Sequence, residues 1–405
     1  MLNFRDYLTE AAGKNLHLEH IEDEILNNGI EGARASIRFI QSLRDMLAGN
    51  SKSQVNMTVK WDGAPAIFAG IDPSDGKFFV GKKGVFNKTP LLYKKQSDID
   101  LGGYLGEVFS TALKELPSLG IKKVLQGDLL FLKSTLGSEI DGHHTFQPNT
   151  ILYAVPKDSD VGRKVSRAKI GIVWHTTYTG RAIKDMKASF GKKIASKFRS
   201  SRTIWMDDAT YRDVSGKALF SPKETEEFND LLSQAGRLFR TVDGDAFRML
   251  TDDDELRQKT MTFVNTYVRG GSNFPSADKM TKGLVDYLNQ WFKKEIDKKK
   301  TEKSKADWSK RRDAIVQKVI MNKSQLTAMF ELMKVLVQAK GMVIDQFNKT
   351  QEMDTLLRTA KGFQVTKQEG FVAIDKMKGG AVKLVDRLEF SKANFSPEII
   401  KGWQK

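Results

Sequence analysis

Val59-Lys60-Trp61-Asp62-Gly63-Ala64-Pro65-Ala66-Ile67-Phe68 reads as a strand that stops at a lysine, a turn at Asp62-Gly63, and a second strand after Pro65. Lys60 is then held by fixed backbone on both sides. Two readings of that lysine stand side by side. One is a nucleophile, since an aimed and deprotonated amine attacks electrophiles. The other is a surface lysine beside a hairpin, with Asp62-Gly63 chosen because tight turns need positive φ.

Working outward, residues 51 to about 182 carry short strands between glycine-rich turns: Met57 to Lys60, Ala66 to Ala69, Lys77 to Val80, Val124 to Phe131, Ile151 to Val155 and Ile170 to Tyr178. One helix, Gly103 to Leu116, interrupts them, and Gly142-His143-His144 reads as a loop. Such a mixture predicts antiparallel sheets with a few helices rather than a doubly wound parallel sheet. Before it, Ile25, Leu26, Ala33, Ile37, Ile40, Leu43 and Leu47 recur at helical spacing, and Gly29 and Gly32 are expected to break this stretch into two helices. His17 and His20 are read as part of a helical face rather than as a metal pair.

From Arg181 the pattern predicts basic helices through Phe347. One cluster includes Lys192 and Lys193, and a second includes Lys298, Lys299, Lys310 and Arg311 around Trp308. Strands return at Phe371 to Ile374 and Ala381 to Leu384, joined by a turn at Met377-Lys378-Gly379-Gly380, and a short tail closes the chain. The organisation expected is an N-terminal helical segment (1–50), the first part of a sheet domain (51–182), a helical basic insertion (183–360) and the second part of the sheet domain (361–395).

Beyond these patterns, several short stretches resemble the motifs of the covalent nucleotidyltransferases, the superfamily of DNA ligases, RNA ligases and mRNA capping enzymes. Lys60-Trp61-Asp62-Gly63 resembles motif I, whose lysine takes up the nucleotide. Val80-Gly81-Lys82-Lys83-Gly84 resembles the S-R-x-G strand, with Lys82 where the family has arginine and Gly81 in place of serine. Gln126-Gly127-Asp128-Leu129 resembles motif III, with Asp128 replacing glutamate. Ile172-Val173-Trp174-His175 resembles motif IIIa. Glu369-Gly370-Phe371-Val372 matches motif IV, and Ala381-Val382-Lys383-Leu384-Val385 resembles motif V with one of its two lysines. The order is the family's order, the matched stretches cover under half the chain, and the resemblance extends to ligase-like proteins of large tailed phages. Departures also include Ala64-Pro65-Ala66, where many DNA ligases carry an arginine, and the short run after Lys383, which leaves no expectation of an oligonucleotide-binding barrel.

The resemblance implies an α+β fold: an antiparallel-sheet nucleotidyltransferase domain (ligase-type, ATP-grasp-like) with a large helical insertion and an N-terminal helical segment. It implies an ATP-dependent polynucleotide ligase, closer to RNA ligases, that forms lysyl-AMP and seals 5′-phosphate to 3′-hydroxyl ends, with ATP and Mg²⁺ (or Mn²⁺) as cofactors. Lys60, Lys383 and Glu369 take the catalytic roles. Asp62, Gly63, Lys82, Asp128, Trp174, Glu369 and Lys383 line the nucleotide, with Asp128 on the ribose and Trp174, or failing it Tyr153, against the base. Glu369 is the expected metal ligand. Lys192, Lys193, Lys298, Lys299, Lys310 and Arg311 are expected to grip the nucleic acid. Two alternatives remain: a GTP-using capping-type transferase, and a non-catalytic nucleic-acid-binding protein on a ligase fold.

Composition agrees with a nucleic-acid partner. Sixty-six Lys and Arg against 50 Asp and Glu give a formal net charge of +16, which draws polyanions. With no cysteine, disulfides, thiolate zinc sites and cysteine nucleophiles are excluded, and a reducing cytoplasm, the host's if the protein is viral, is expected. No run approaches the ~18 apolar residues of a membrane span, and the start Met1-Leu2-Asn3-Phe4-Arg5-Asp6 is not a signal peptide. A monomer is expected.

Overall fold

The computed structural model describes residues 20–49, 55–137, 139–190, 194–209, 219–270, 272–349, 354–360, 362–367, 370–375 and 381–402. Its first helix, α1 (Glu24–Leu47), buries the apolar stripe of Ile25, Leu26, Ala33, Ile37, Ile40 and Leu43. The expected break is a kink within this one element, at Gly29, where φ is 53° and ψ is −129°. A glycine is suited there because other residues rarely adopt positive φ.

The sheet segment runs through β1 (Val55–Lys60), β2 (Ala66–Ile71), β3 (Phe78–Gly81), α2 (Gly103–Glu115), β4 (Val124–Leu132), β5 (His143–Phe146), β6 (Ile151–Pro156), α3 (Asp160–Arg167), β7 (Ile170–Thr179), β8 (Lys187–Phe190) and β9 (Ile204–Asp208). A run of six helices follows: α4 (Pro222–Thr241), α5 (Gly244–Thr251), α6 (Asp254–Arg269), α7 (Ala277–Asp297), α8 (Glu302–Met321) and α9 (Lys323–Asn348). Strands resume with β10 (Asp354–Thr359), β11 (Gly362–Val365), β12 (Gly370–Asp375) and β13 (Ala381–Leu384), and α10 (Arg387–Phe395) comes after them.

These strands form three sheets. The largest runs β3-β2-β4-β7-β8, with β9 parallel to β7; the second runs β11-β10-β6-β5; the third is β1-β12-β13. All other pairings are antiparallel. Side chains alternate between the faces of a strand, and the large sheet uses both. One face sets Ile67, Leu125, Leu129, Ile172 and Trp174 against Val108, Phe109 and Leu113 of α2. The other sets Leu130, Phe131 and Val173 against Trp61, Phe146, Ile151 and Tyr153, joining the large sheet to β5 and β6.

The helices make a separate core that includes α1 and residues from all of α4 to α9. The third sheet rests on it: Phe371 and Leu384 belong to this core, and the rings of Phe347 and Phe371 lie 5.1 Å apart. A buried group of charges reinforces the junction. Lys340 of α9 donates to both oxygens of Glu22 at 2.6 and 2.8 Å, while Arg387 of α10 pairs with Asp23 at 2.7 Å and with Glu22 at 3.5 Å.

Three expectations about boundaries need correction. The stretch from 183 to 209, expected to be helical, places β8 and β9 on the large sheet, because Ile204 and Trp205 are apolar enough to complete cores on its two faces. The first helix is not a separate segment, since its apolar stripe is covered only by packing into the helical body. His143 and His144, read as loop, open β5, which pairs with β6. His17 and the turn at 377–380 lie outside the described residues.

Candidate functional site

Lys60 is the last residue of β1 and stands opposite Gly370, the first residue of β12. On the far side of β12 lies β13, where Lys383 pairs in register with Val372. The backbones crowd at this point. Gly370 has φ 150°, and a Cβ there would come within 2.5 Å of the Leu384 carbonyl oxygen. The glycine of the E-G-x-V stretch is thus required by close approach of β13. Glu369 lies outside the described residues.

After Lys60 the chain turns into the gap between the two larger sheets. Asp62 is buried there, and its carboxylate is fully engaged. Oδ1 accepts from the Asn149 side chain at 2.6 Å, and Oδ2 accepts from the backbone N–H groups of Thr150 and Ile151, each at 2.6 Å. Its own N–H donates to the Tyr153 hydroxyl at 2.8 Å. Burial raises the pKa of the Asp62 carboxyl, opposed by those three hydrogen bonds and by the charge of Lys60. Asp62 therefore acts as the anchor that fixes the turn carrying Lys60, rather than as an exposed ligand contact.

Gly63 follows in tight contact with β4. A Cβ at this position would lie 2.5 Å from the Asp128 Cβ and 2.9 Å from the Leu129 carbonyl oxygen. Ala64 donates its N–H to that carbonyl, and Leu129 returns a bond to Pro65. The turn is thereby stitched onto Asp128, whose half-buried carboxylate approaches His175 Nε2 at 3.6 Å. The other ring nitrogen of His175 bonds to Thr176 Oγ1 at 2.7 Å. Lys82, also half-buried, directly follows β3, where Gly81 pairs with Phe68 of β2.

The structure thus brings Lys60, Asp62, Gly63 and Asp128 together, with β12 and β13 beside Lys60. It does not bring Trp174 to them. Trp174 is completely buried on the α2 face of β7, edge-on to Phe198, whereas Val173 and His175 alternate to the opposite face. A ring packed on all sides offers no face to a base, so that expected role is withdrawn. Tyr153, the second expectation, is 1% exposed and lies 5.3 Å from the Trp61 ring.

Two further side chains border this site. The motif position points to Trp174, whereas strand alternation puts its neighbour His175 on Asp128's side. Lys401 lies in the segment expected to be a short tail. It is buried and reaches Thr150 Oγ1 at 3.4 Å, next to the Asp62 carboxylate. Burial lowers its pKa, against the opposing pull of Asp62.

Among the described residues no cluster of three or more His, Asp or Glu side chains could hold a metal ion. Mg²⁺ commonly binds through only one or two carboxylates plus substrate phosphates and water. The partly exposed Asp128 carboxylate fits that limited role and is the one described carboxylate at this site that does, Asp62 being saturated by donors.

The second basic cluster is organised around tryptophans. Lys299 Nζ lies 3.9 Å from the centre of the Trp308 ring, with the Arg311 guanidinium 5.3 Å from it, and Lys259 Nζ lies 3.4 Å from the Trp291 ring centre. Lys298 pairs with Glu295 and Arg311 with Glu255, while Lys310 is exposed. Lys192 and Lys193 lie outside the described residues.

Fold and site define an α+β protein in which the lysine-bearing turn sits where three sheets meet. Among the described residues no helix is long and apolar enough to cross a membrane. The chain belongs to DUF6267, a family of unknown function, whose model matches residues 15–399. No curated protein and no solved structure matches it.

Proposed function

We propose that this protein is an ATP-dependent polynucleotide ligase of the RNA-ligase type, with Lys60 as the residue that carries AMP. The observation that carries the reading is convergence. Lys60 pairs in register with the strand begun by Gly370, the strand bearing Lys383 lies next to that one, and the turn after Lys60 packs onto Asp128. Stretches read as four separate motifs, remote in sequence, adjoin at the end of β1. The facing sheets are read as a ligase-type nucleotidyltransferase core into which the helical body is inserted.

In the first step the lone pair of Lys60 Nζ attacks the α-phosphorus of ATP. A P–N bond forms, the P–O bond to the β-phosphate breaks, pyrophosphate leaves with that electron pair, and the amine proton passes to solvent. A 5′-phosphate oxygen of the nucleic acid then displaces Lys60 from the phosphorus, and a 3′-hydroxyl displaces AMP. Lys82 and Lys383 supply positive charge toward the phosphates, and Asp128 accepts from a ribose hydroxyl. Mg²⁺ or Mn²⁺, when bound, supplies Lewis-acid charge at the same phosphates, with Asp128 as the described residue able to hold it. The tryptophan-backed cations of α7 and α8 form a surface suited to nucleic-acid phosphates and bases.

The test is incubation with α-labelled ATP or GTP and Mg²⁺, followed by denaturing separation. Covalent label from ATP on the wild type and none on Lys60→Ala is expected. Label from GTP instead would assign a capping-type transfer. No label, or equal label on both proteins, would leave a nucleic-acid-binding protein without this chemistry.

A further inference from the structure

Strand β7 is interrupted at one residue on both of its edges. Against β4, Gln126 pairs with Thr176 and Gly127 with Trp174, so His175 is the extra residue of a bulge. Along the other edge β9 runs parallel to β7 as far as Trp174, and β8 runs antiparallel to it from Thr176 onward. The edge partner therefore changes at His175, and among the described residues none pairs with it in register. Bulges recur beside functional sites because they re-aim a side chain.

Here the bulge suspends the usual alternation between neighbours. The side chains of His175 and Thr176 meet, Nδ1 to Oγ1 at 2.7 Å. Thr176 is fully buried, so this contact holds the imidazole in one orientation. The other ring nitrogen, Nε2, faces Asp128 Oδ2 at 3.6 Å. That gap is too long for a direct hydrogen bond. It is close to the separation of two donors that share one ion, since bonds of about 2.1 Å at octahedral or tetrahedral angles set their donors roughly 3.0–3.4 Å apart. A small side-chain rotation closes the difference. The two side chains are 25% and 26% exposed, and His175 is the one polar partner of the Asp128 carboxylate among the described residues.

We propose that Asp128 and His175 together hold a divalent first-row transition-metal ion in preference to Mg²⁺. Asp128 Oδ2 and His175 Nε2 are the protein's two ligands. Imidazoles that ligate a metal donate their second N–H to a fixed acceptor, and Thr176 Oγ1 is that acceptor here. Two donors leave the rest of the coordination shell to water and to phosphate oxygens. The proposal deepens the reading of this site as one that binds a nucleoside triphosphate, and rests on it for those phosphates alone. His175 sets the selectivity: Mg²⁺ is taken by oxygen donors, whereas an imidazole nitrogen favours the transition ions.

The experiment uses full-length protein without a histidine tag, without nucleotide, and with Mn²⁺ as the probe. Loss of the free-ion electron paramagnetic resonance signal gives the affinity, and pulsed measurements on frozen samples show whether a nitrogen is bonded to the ion. Nitrogen coupling is expected in the wild type and not in His175→Gln. His175→Gln and Asp128→Asn should each bind Mn²⁺ at least about tenfold more weakly, and Thr176→Val, which keeps both ligands, should weaken it by roughly tenfold. A roughly tenfold excess of Mg²⁺ should leave Mn²⁺ on the wild type and displace it from His175→Gln. Wild type without nitrogen coupling, coupling that persists in His175→Gln, or equal displacement by Mg²⁺ from both proteins overturns the proposal. The wild-type coupling and the Asp128→Asn affinity keep the test decisive if His175→Gln does not fold: no coupling, or an unchanged affinity, overturns it. Labelling with ATP runs in parallel. Labelled wild type without nitrogen coupling removes the imidazole ligand alone, whereas coupling without label keeps the metal site and removes the lysyl-AMP reading.

Discussion

Lys340→Met is expected to be among the most destabilising single substitutions in the helical body. Lys340 is 2% exposed and Glu22 is fully buried, and their two contacts of 2.6 and 2.8 Å are the shortest paths by which that carboxylate is neutralised. The charges around them balance: Glu22 and Asp23 against Lys340 and Arg387. Removing Lys340 leaves one uncompensated negative charge in a closed interior, because Arg387 is committed to Asp23 at 2.7 Å and reaches Glu22 only at 3.5 Å. Breaking a buried pair from one side typically costs about 3–5 kcal/mol. The paired substitution Glu22→Leu with Lys340→Met leaves Asp23 and Arg387 matched, and should recover most of that loss, ending within about 2 kcal/mol of wild type. Urea unfolding followed by tryptophan fluorescence, on both single variants and the double, measures the coupling directly. If the double variant is no more stable than Lys340→Met, charge balance does not govern this junction and the reasoning fails.

Two further outcomes follow from the same physics. Burial raises the Asp23 carboxyl to about 6, so the folded protein keeps a proton there that the unfolded chain has already released from its aspartate near 3.8. Between these values the native state binds more protons, and stability should fall as pH rises through that window by up to about 3 kcal/mol. Urea midpoints across that range should show the decline in wild type and a flatter curve in Asp23→Asn. In the cation cluster, Lys298→Ala, Lys299→Ala and Lys310→Ala together should lower the salt dependence of single-strand binding by about 2 in log–log slope, roughly 0.7 for each lost phosphate contact. Fluorescence anisotropy titrations at several salt concentrations check this, and an unchanged slope would place the nucleic acid elsewhere.

The local patterns were legible because they depend on neighbours in sequence. The strands on either side of residues 61–65, together with β12 and β13, follow from alternation. Asp62 and Gly63 do not: neither has the positive φ of a tight turn, and Gly63 is required by the close approach of β4, while β10 at Asp354–Thr359 lies in a stretch expected to be helical. What escaped depends on partners far along the chain. Nothing in Lys187–Phe190 or Ile204–Asp208 announces that β7 has an open edge for both. The charge density of the stretch around them suggested helix, but pairing and apolar cover decided otherwise. Motif position points to Trp174, while the alternation of β7 assigns it to the opposite face from Asp128 and gives that side to His175. Lys401 carries no local signal at all. Its place is set by hydrogen bonds to Arg358 and Asn149, made by residues on either side of it.

Pairing β1 with β12 makes completion of the lysine's surroundings a late event in synthesis. While the ribosome is still producing the helices, the strand ending at Lys60 has no partner of its own, and neither Gly370 nor Lys401 yet exists. Any chemistry that needs those residues is withheld from a nascent chain. Truncated products that stop within the helical body therefore contain Lys60 without the strand that pairs with it.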